Sequence, residues 1–195
     1  MREVTTLTDA PRRTYLLVDG ENIDATLGGS ILNGRPAPEE RPRWERVLEF
    51  ARTAWGGQDV TGLFFLNASN GTMPMSFVQA LLAIGFQPIP LSGEAHEKVV
   101  DIGIQRTLDA LADRPGDVLL ASHDGDFAPQ LAALLGTDRN VGLLGFTEFT
   151  SGSLRHLVEG GLQTFDLESD VQAFTVRLPR LRIIPLAEFD PTRYL

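Results

Sequence analysis

Acidic residues follow two short apolar runs of the chain and stand near the start of one amphipathic stretch. Asp19 directly follows the first apolar run, and Asp124 and Asp126 lie just beyond a later one. Asp101 comes shortly after Lys98, where the amphipathic stretch begins. Carboxylates that lie close together repel one another unless a proton or a cation neutralises them, and their oxygens suit hard cations such as Mg²⁺. These residue types therefore predict metal-dependent hydrolysis of a phosphodiester bond, which requires no protein nucleophile.

The elements that would position these acids alternate along the chain. Apolar runs typical of strands buried on both faces occupy residues 15–18, 61–66, 86–91, 117–121 and 141–144. Amphipathic stretches with helical spacing occupy residues 44–55, 76–84, 99–111, 126–135 and 153–158. This alternation predicts an α/β fold with a mainly parallel sheet and helices on both of its faces.

The predicted topology would bring the acids to one edge of the sheet. Parallel sheets bind ligands at the carboxyl ends of their strands, beside the point where the strand order reverses. If the first and fourth strands are neighbours there, Asp19, Asp124 and Asp126 face one crevice. Asp101 would join them from the helix that leads into the fourth strand. The sequence therefore predicts one shared metal site.

Each of these residues also has a purely structural interpretation. A single aspartate after a strand is commonly a helix N-cap or a turn residue, and Asp24 and Asp126 both lie close to predicted helix starts. His123, between the site acids, either contacts substrate or is exposed in a turn. We favour the metal site because three acidic motifs all fall where the predicted sheet would gather them.

The composition is that of a globular protein. The chain has 195 residues, 43% hydrophobic and 22% charged, which favours one folded domain and argues against a disordered chain or a coiled coil. It has no cysteine, which excludes disulfides, cysteine-ligated metals and a thiol nucleophile. No apolar run is long enough to span a bilayer and the N-terminus lacks the core of a signal peptide. We therefore expect a cytoplasmic protein without a membrane partner.

The net charge of -9 means that any nucleic acid must bind to a local basic patch. Lys98 is the only lysine. Five arginines lie close together in the first third of the chain, where they either make bidentate phosphate contacts or pair with neighbouring glutamates. These arginines are Arg35, Arg41, Arg43, Arg46 and Arg52.

Two segments depart from the alternation of strands and helices. Residues 22–43 are rich in glycine and proline and are predicted to form a long connection, of the kind that is functional or disordered. Residues 170–195 carry alternating apolar residues interrupted by Pro179 and Pro185, which predicts an edge hairpin or an arm over a surface. Such a segment should dock on the edge of its own sheet or on a second copy. We favour a homodimer with this segment in the contact.

Three motifs, taken together and in this order, resemble those of a known family. They are Val18-Asp19-Gly20-Glu21-Asn22, Lys98-Val-Val-Asp101 and Ser122-His-Asp124-Gly-Asp126-Phe127. Together with Ser153-Leu154 and Phe165, further along the chain, they resemble the NYN domain family, a branch of the PIN-like metal-dependent ribonucleases. The resemblance covers about residues 15–167.

The resemblance implies a Rossmann-like three-layer sandwich with strand order 3-2-1-4-5, a Mg²⁺ or Mn²⁺ cofactor and RNA as substrate. It implies Asp19, Asp101 and Asp124 as metal ligands, with Asp126 as a fourth catalytic acid that binds the metal or orients water. On this interpretation residues 15–169 form the nuclease domain, preceded by a tail, 1–14, and followed by a C-terminal arm or edge hairpin, 170–195.

The same resemblance assigns substrate contacts to polar residues around the acids. Asn22 and Ser122 would hydrogen-bond substrate or hold the acids in place. Lys98 and Arg43 are predicted to contact the RNA because of their positive charge and their positions in the sequence, and not because of the resemblance.

Two other function classes compete with a metal-dependent endoribonuclease. A non-catalytic RNA-binding or regulatory module would keep the fold, and the acidic net charge favours it, whereas the intact acids favour the enzyme. A phosphatase-like hydrolase fits less well, because Glu21 stands where a second aspartate should follow Asp19. No glycine-rich dinucleotide fingerprint follows the first strand, so a nicotinamide or flavin enzyme is not expected.

Overall fold

Six strands form one parallel sheet in the computed structural model, which describes residues 12–56, 59–180, 184, 186–193 and 195. The strands are β1 (Thr14–Asp19), β2 (Val60–Asn67), β3 (Phe86–Leu91), β4 (Asp117–Ala121), β5 (Val141–Gly145) and β6 (Gln163–Asp166). They lie in the order β3-β2-β1-β4-β5-β6, and every neighbouring pair is parallel. The predicted α/β fold and strand order are confirmed, with β6 added beside β5.

Helices cover both faces of the sheet. They are α1 (Gly20–Thr26), α2 (Trp44–Thr53), α3 (Met75–Ile84), α4 (Val99–Leu111), α5 (Ala128–Leu135) and α6 (Gly152–His156). The first three pack on one face and the last three on the other, as two separate apolar clusters. Across the described residues, no helix combines the length and apolarity that a membrane crossing requires.

The position of the central strand β1, covered on both faces, explains why its residues 16–18 are all apolar. Leu16 and Val18 belong to the cluster beneath α1–α3, whereas Leu17 belongs to the cluster beneath α4–α6. All three side chains are fully buried. Because successive side chains of a strand point to opposite faces, a strand covered on both faces must be apolar at every position. The polar residue that follows, Asp19, therefore marks the strand's end.

The segment after β1 differs from the long connection that its glycines and prolines predict. The chain enters α1 immediately and continues as one turn of π-helix, Leu27–Ile31, and later as a 3-10 turn, Pro38–Glu40. Ile23, Leu27 and Ile31 recur at four-residue spacing and are buried against the sheet. The prediction of a loop over residues 22–31 is therefore wrong, because burial of this apolar stripe outweighs the low helix propensity of the glycines.

The described start of the C-terminal arm docks on the protein's own core. Val171, Phe174 and Leu178 are buried in the cluster beneath α1–α3. The guanidinium of Arg46 donates to the backbone carbonyls of Gln172 and Phe174, at 2.8 and 3.3 Å. Residues 170–180 contain no strand, so this part is an arm and not an edge hairpin. Positions 181–183 lie outside the described residues, and the domain boundaries and the homodimer remain predictions.

A buried guanidinium ties this arm to the edge of the sheet. Only 2% of the Arg180 side chain is exposed, and it makes a bidentate ion pair with Asp166, at 2.8 and 2.6 Å. Arg180 also pairs with Glu148 and Glu168 and lies over the ring of Phe146. Burial alone would raise the pKa of Asp166, but the hydrogen bonds from Arg180, Ser169 N–H and Thr147, together with the charge of Arg180, outweigh it and hold that pKa well below its usual range.

We predict that Arg180→Met destabilises the fold by about 3 kcal/mol, because it removes the guanidinium that three partly buried carboxylates bind, those of Glu148, Asp166 and Glu168. Since Asp166 has a lowered folded-state pKa, its contribution to stability is present above pH about 4 and is lost as the pH falls further. The loss of stability in the Arg180→Met variant should therefore be larger at neutral pH than in acid. The free energy of unfolding from urea titrations at pH 7 measures this loss. Arg177→Met, at an exposed position of the same arm, is the matched control. Equal stabilities of the two variants would contradict this account.

Candidate metal centre

The strand order places the ends of β1 and β4 side by side. The chain builds β2 and β3 on one side of β1 and then crosses to the other side, so the order reverses between β1 and β4. Val18 and Ala121 are paired in the register. Asp19 ends β1, and the loop with Asp124 and Asp126 begins directly after β4. This is where open α/β sheets bind their ligands.

Three of the predicted acids converge at this point. Carboxylate oxygens of Asp101, Asp124 and Asp126 all lie within 4.8 Å of one another. Asp101 stands in the first turn of α4, and the other two flank the start of a 3-10 turn, Gly125–Phe127. Asp101 and Asp124 are half-buried, whereas Asp126 is exposed. An all-carboxylate set open to solvent suits Mg²⁺ or Mn²⁺, which keep waters and bind substrate phosphates as well.

The ammonium of Lys98 lies among these carboxylates. Its Nζ is 3.3 Å from Asp101 Oδ2 and 3.2 Å from Asp126 Oδ2. Hydrogen bonds to Asp126 and Asp101 raise the pKa of Lys98. The side chain is 67% exposed and has a long flexible stem, so it can withdraw when another cation or a phosphate arrives. The acidic group thus already attracts positive charge, which fits a cation site.

Asp19 lies outside this group of three, although it was predicted to be one of the metal ligands. Its side chain is buried, and its two oxygens accept hydrogen bonds from Asn22 N at 3.1 Å and from Ser122 Oγ at 3.0 Å. Burial raises the pKa of Asp19 to about 6, and the charge of Asp101 adds to this rise. The charge of Asp101 thus acts on Asp19, although Asp19 lies outside the group of three. Its role as a metal ligand stays a prediction.

The side chains of Asn22 and Ser122 form hydrogen bonds with other residues of the protein and hold the site in position. Ser122 is fully buried, and its hydroxyl donates to Asp19 and accepts from the backbone N–H of Asp124 at 3.2 Å. Asn22 Oδ1 accepts from the backbone N–H of His123 at 2.8 Å. Of the two roles predicted for these residues, the contacts in the structure are those that hold the acids in place.

His123 is buried, whereas the sequence suggested an exposed turn or a substrate contact. Its Nε2 accepts from the backbone N–H of Phe146 at 2.7 Å, so the ring proton is on Nδ1, which lies 2.9 Å from Asn22 Oδ1. The ring fills the space above Gly145, where an added Cβ would come within 2.7 Å of it. A glycine that ends an apolar strand is a signal of such a close approach. His123 thus joins the ends of β4 and β5 to α1.

A cleft of about 830 Å³ opens beside the first turn of α1. Arg35, Arg41 and Arg43 line it, together with Glu21 and Asp24. Arg41 pairs with Asp24 at 3.3 Å. The predicted arginine cluster is therefore divided between the cleft and the rest of the surface, because Arg46 and Arg52 are engaged elsewhere. Arg46 binds the C-terminal arm, and Arg52 pairs with Glu49 at 2.6 Å.

Comparisons with known proteins agree with the fold and the motifs. The family model of the NYN domain matches residues 13–160. Among solved structures, the chain is similar to a protein of unknown function from Vibrio parahaemolyticus, with 19% identity and a TM-score of 0.64 over 84% of this chain and 97% of that one. At this identity the likeness shows the fold alone. None of the curated proteins compared with the chain matches it.

We predict that His123 stays neutral down to a pH of about 4, because burial lowers its pKa to that value. Protonation would also remove the acceptor of the Phe146 N–H. Since the folded-state pKa lies below the unfolded value of 6.5, the contribution of His123 to stability is full above pH 6.5 and is lost as the pH falls toward 4. Asp19 acts in the opposite sense over part of this window, so the ring itself should be followed by NMR. The exposed His96 and His156 give reference signals, and titration of His123 above pH 6 would refute the assignment.

Proposed function

The chain belongs to the NYN domain family, and on this premise we propose that it is a metal-dependent endoribonuclease that hydrolyses RNA phosphodiester bonds. The family is PIN-like and nuclease-like in character. The observation that carries the proposal is the convergence of Asp101, Asp124 and Asp126 beside the ends of β1 and β4. The chemistry of hydrolysis needs no other protein group than these carboxylates and the residues that hold them.

The three carboxylates would hold Mg²⁺ or Mn²⁺. When bound, the ion supplies the positive charge that lowers the pKa of water and neutralises the phosphate during hydrolysis. Asp124 is preoriented for this role, since its Oδ1 accepts from the backbone N–H of Asp126 at 2.9 Å and its own N–H is held by Ser122. Asp126 is exposed and reaches solvent, where it can orient water.

Asp19 and Lys98 would tune the charge of the site. With a pKa of about 6, Asp19 is mostly ionised at neutral pH and adds negative charge next to Asp101. Lys98 is the cationic side chain in contact with the acidic group, and it would move to a phosphate oxygen as RNA enters.

The second candidate is a non-catalytic RNA-binding or regulatory module. Its support is the ion pairing of Lys98, which already neutralises part of the acidic group and could take the place of a metal. The two candidates differ in what a divalent cation does. The enzyme needs the cation for turnover, whereas the module binds RNA equally well with a chelator.

The purified protein should cleave single-stranded RNA with Mn²⁺ or Mg²⁺ and lose this activity in a chelator. Asp124→Asn should lower cleavage by about 100-fold or more, because it replaces a charged carboxylate by a neutral amide and so removes one of the three negative charges that would hold the cation. Asp109→Asn, on the exposed side of α4, is the control for a lost carboxylate and for contaminating nucleases. Cleavage that survives the chelator, or that is equal in Asp124→Asn and the wild type, would refute the assignment.

The same variant has a readout that does not depend on activity. In Asp124→Asn the side-chain amide oxygen can still accept from the backbone N–H of Asp126, so the fold is kept while repulsion among the acids falls. In a chelator, the melting temperature of Asp124→Asn should therefore exceed that of the wild type by about 2 °C. Added Mn²⁺ should stabilise the wild type and leave the variant unchanged. Equal stabilisation of both proteins would place the metal elsewhere.

Lys98→Met should strengthen Mn²⁺ binding several-fold, because it removes an ammonium that competes for Asp101 and Asp126. Calorimetry with Mn²⁺ in the absence of RNA measures this affinity. Arg106→Met also removes one positive charge, from the exposed face of α4, the helix that directly follows Lys98, and it controls for net charge. An equal gain in both variants would mean that the effect is only long-range, and a loss in Lys98→Met would mean that Lys98 supports the metal site.

A further inference from the structure

The cleft beside α1 has an aromatic floor. Trp44 and Phe64 meet edge to face with ring centroids 4.9 Å apart, and Phe64 and Phe77 do the same at 5.3 Å. Trp44 and Phe64 are buried, whereas Phe77 is half-buried at the cleft surface. Prolines 36, 38, 42 and 74 line the walls. A volume of about 830 Å³ is within the range of clefts that bind small organic ligands.

The rim of this cleft is more basic than the protein as a whole. Three arginines and two acids line it, in a chain whose net charge is -9. Arg41 is neutralised by Asp24. The guanidinium groups of Arg35 and Arg43 make no ion pair or hydrogen bond with another described residue, so both are available to an anion. A planar apolar group with an attached anion is the ligand that this combination fits.

The cleft begins next to the end of β1, where Asp19 lies. Gly20 and Glu21 line it, and they directly follow Asp19 at the end of β1. Asp19 in turn accepts a hydrogen bond from Ser122, whose hydroxyl also accepts one from the backbone N–H of Asp124. A chain bound with one phosphate at the three carboxylates would therefore have a neighbouring nucleotide within reach of the cleft.

We propose that the cleft binds one unpaired nucleotide of single-stranded RNA, with its base on Phe77 and its phosphate on Arg35 and Arg43. This inference rests on the proposed function, since that function makes RNA the ligand. A base in a duplex is stacked and paired and cannot enter a side cleft, whereas a splayed base can stack on an aromatic ring. The cleft therefore selects single strands.

Binding is tested on the full chain in a chelator, where the RNA stays intact. Fluorescence anisotropy with a short labelled oligoribonucleotide should show at least tenfold tighter binding of the single strand than of its duplex. Phe77→Leu keeps apolar volume but loses the ring face, and should weaken single-strand binding about tenfold without changing its salt dependence. The double variant Arg35→Gln with Arg43→Gln should weaken binding and lower the slope of log affinity against log salt by about 0.7 for each arginine.

The control is Arg52→Gln, which removes an arginine that is paired with Glu49 and lies outside the cleft. It should change neither the affinity nor the slope by as much as a cleft variant. Thermal unfolding of every variant shows whether the fold is kept, and rescue of the slope by Arg35→Lys with Arg43→Lys tests the charge alone.

The outcomes separate this inference from the proposed enzyme. Weaker binding by the cleft variants with no cleavage by the wild type would keep the binding site and refute the nuclease. Cleavage by the wild type with unchanged binding in the cleft variants would refute the cleft and keep the nuclease. Equal affinity for duplex and single strand would also overturn the inference, because a paired base cannot occupy the cleft.

Discussion

The arrangement of the site depends on one buried carboxylate at the end of the central strand. Asp19 is removed from water, and the hydrogen bonds from Asn22 N and Ser122 Oγ compensate only part of that cost, as its raised pKa shows. The first of these bonds caps α1, and the second fixes the residue that follows β4. One side chain therefore sets both the direction of the first helix and the position of the loop with Asp124.

A second layer of contacts holds that loop from the opposite side. His123 connects Asn22 in α1 with the backbone of Phe146 after β5. The ring of Phe146 is stacked on His123 and lies beneath the guanidinium of Arg180, which belongs to the C-terminal arm. The arm and the acidic group are thus linked through packed side chains, so the arm supports the position of the site although it lies outside the matched family region.

Charge is distributed unevenly over this acidic protein, and the distribution follows the fold. Arg180 is engaged by three partly buried acids, Arg46 by the arm, and Arg52 by a neighbouring glutamate. Lys98 remains at the acidic group, and Arg35 and Arg43 at the cleft beside it. Lys98 and the two arginines of the cleft therefore place positive charge on the side of the sheet where β1 and β4 end, which the net charge of the chain does not reveal.

The sequence by itself determined the fold class and indicated which acids are candidates for the site. Apolar runs that end in aspartate directly indicate buried parallel strands, and the motif order led to the strand order that the structure has. Only the tertiary structure decided which acids meet. It grouped Asp126 with Asp101 and Asp124, turned Asp19 inward and buried His123. It also separated the arginines that face the cleft from those already paired. The local sequence pattern shows whether a residue is apolar or charged. A contact between residues about a hundred positions apart depends instead on strand register and side-chain direction, and no local pattern contains these.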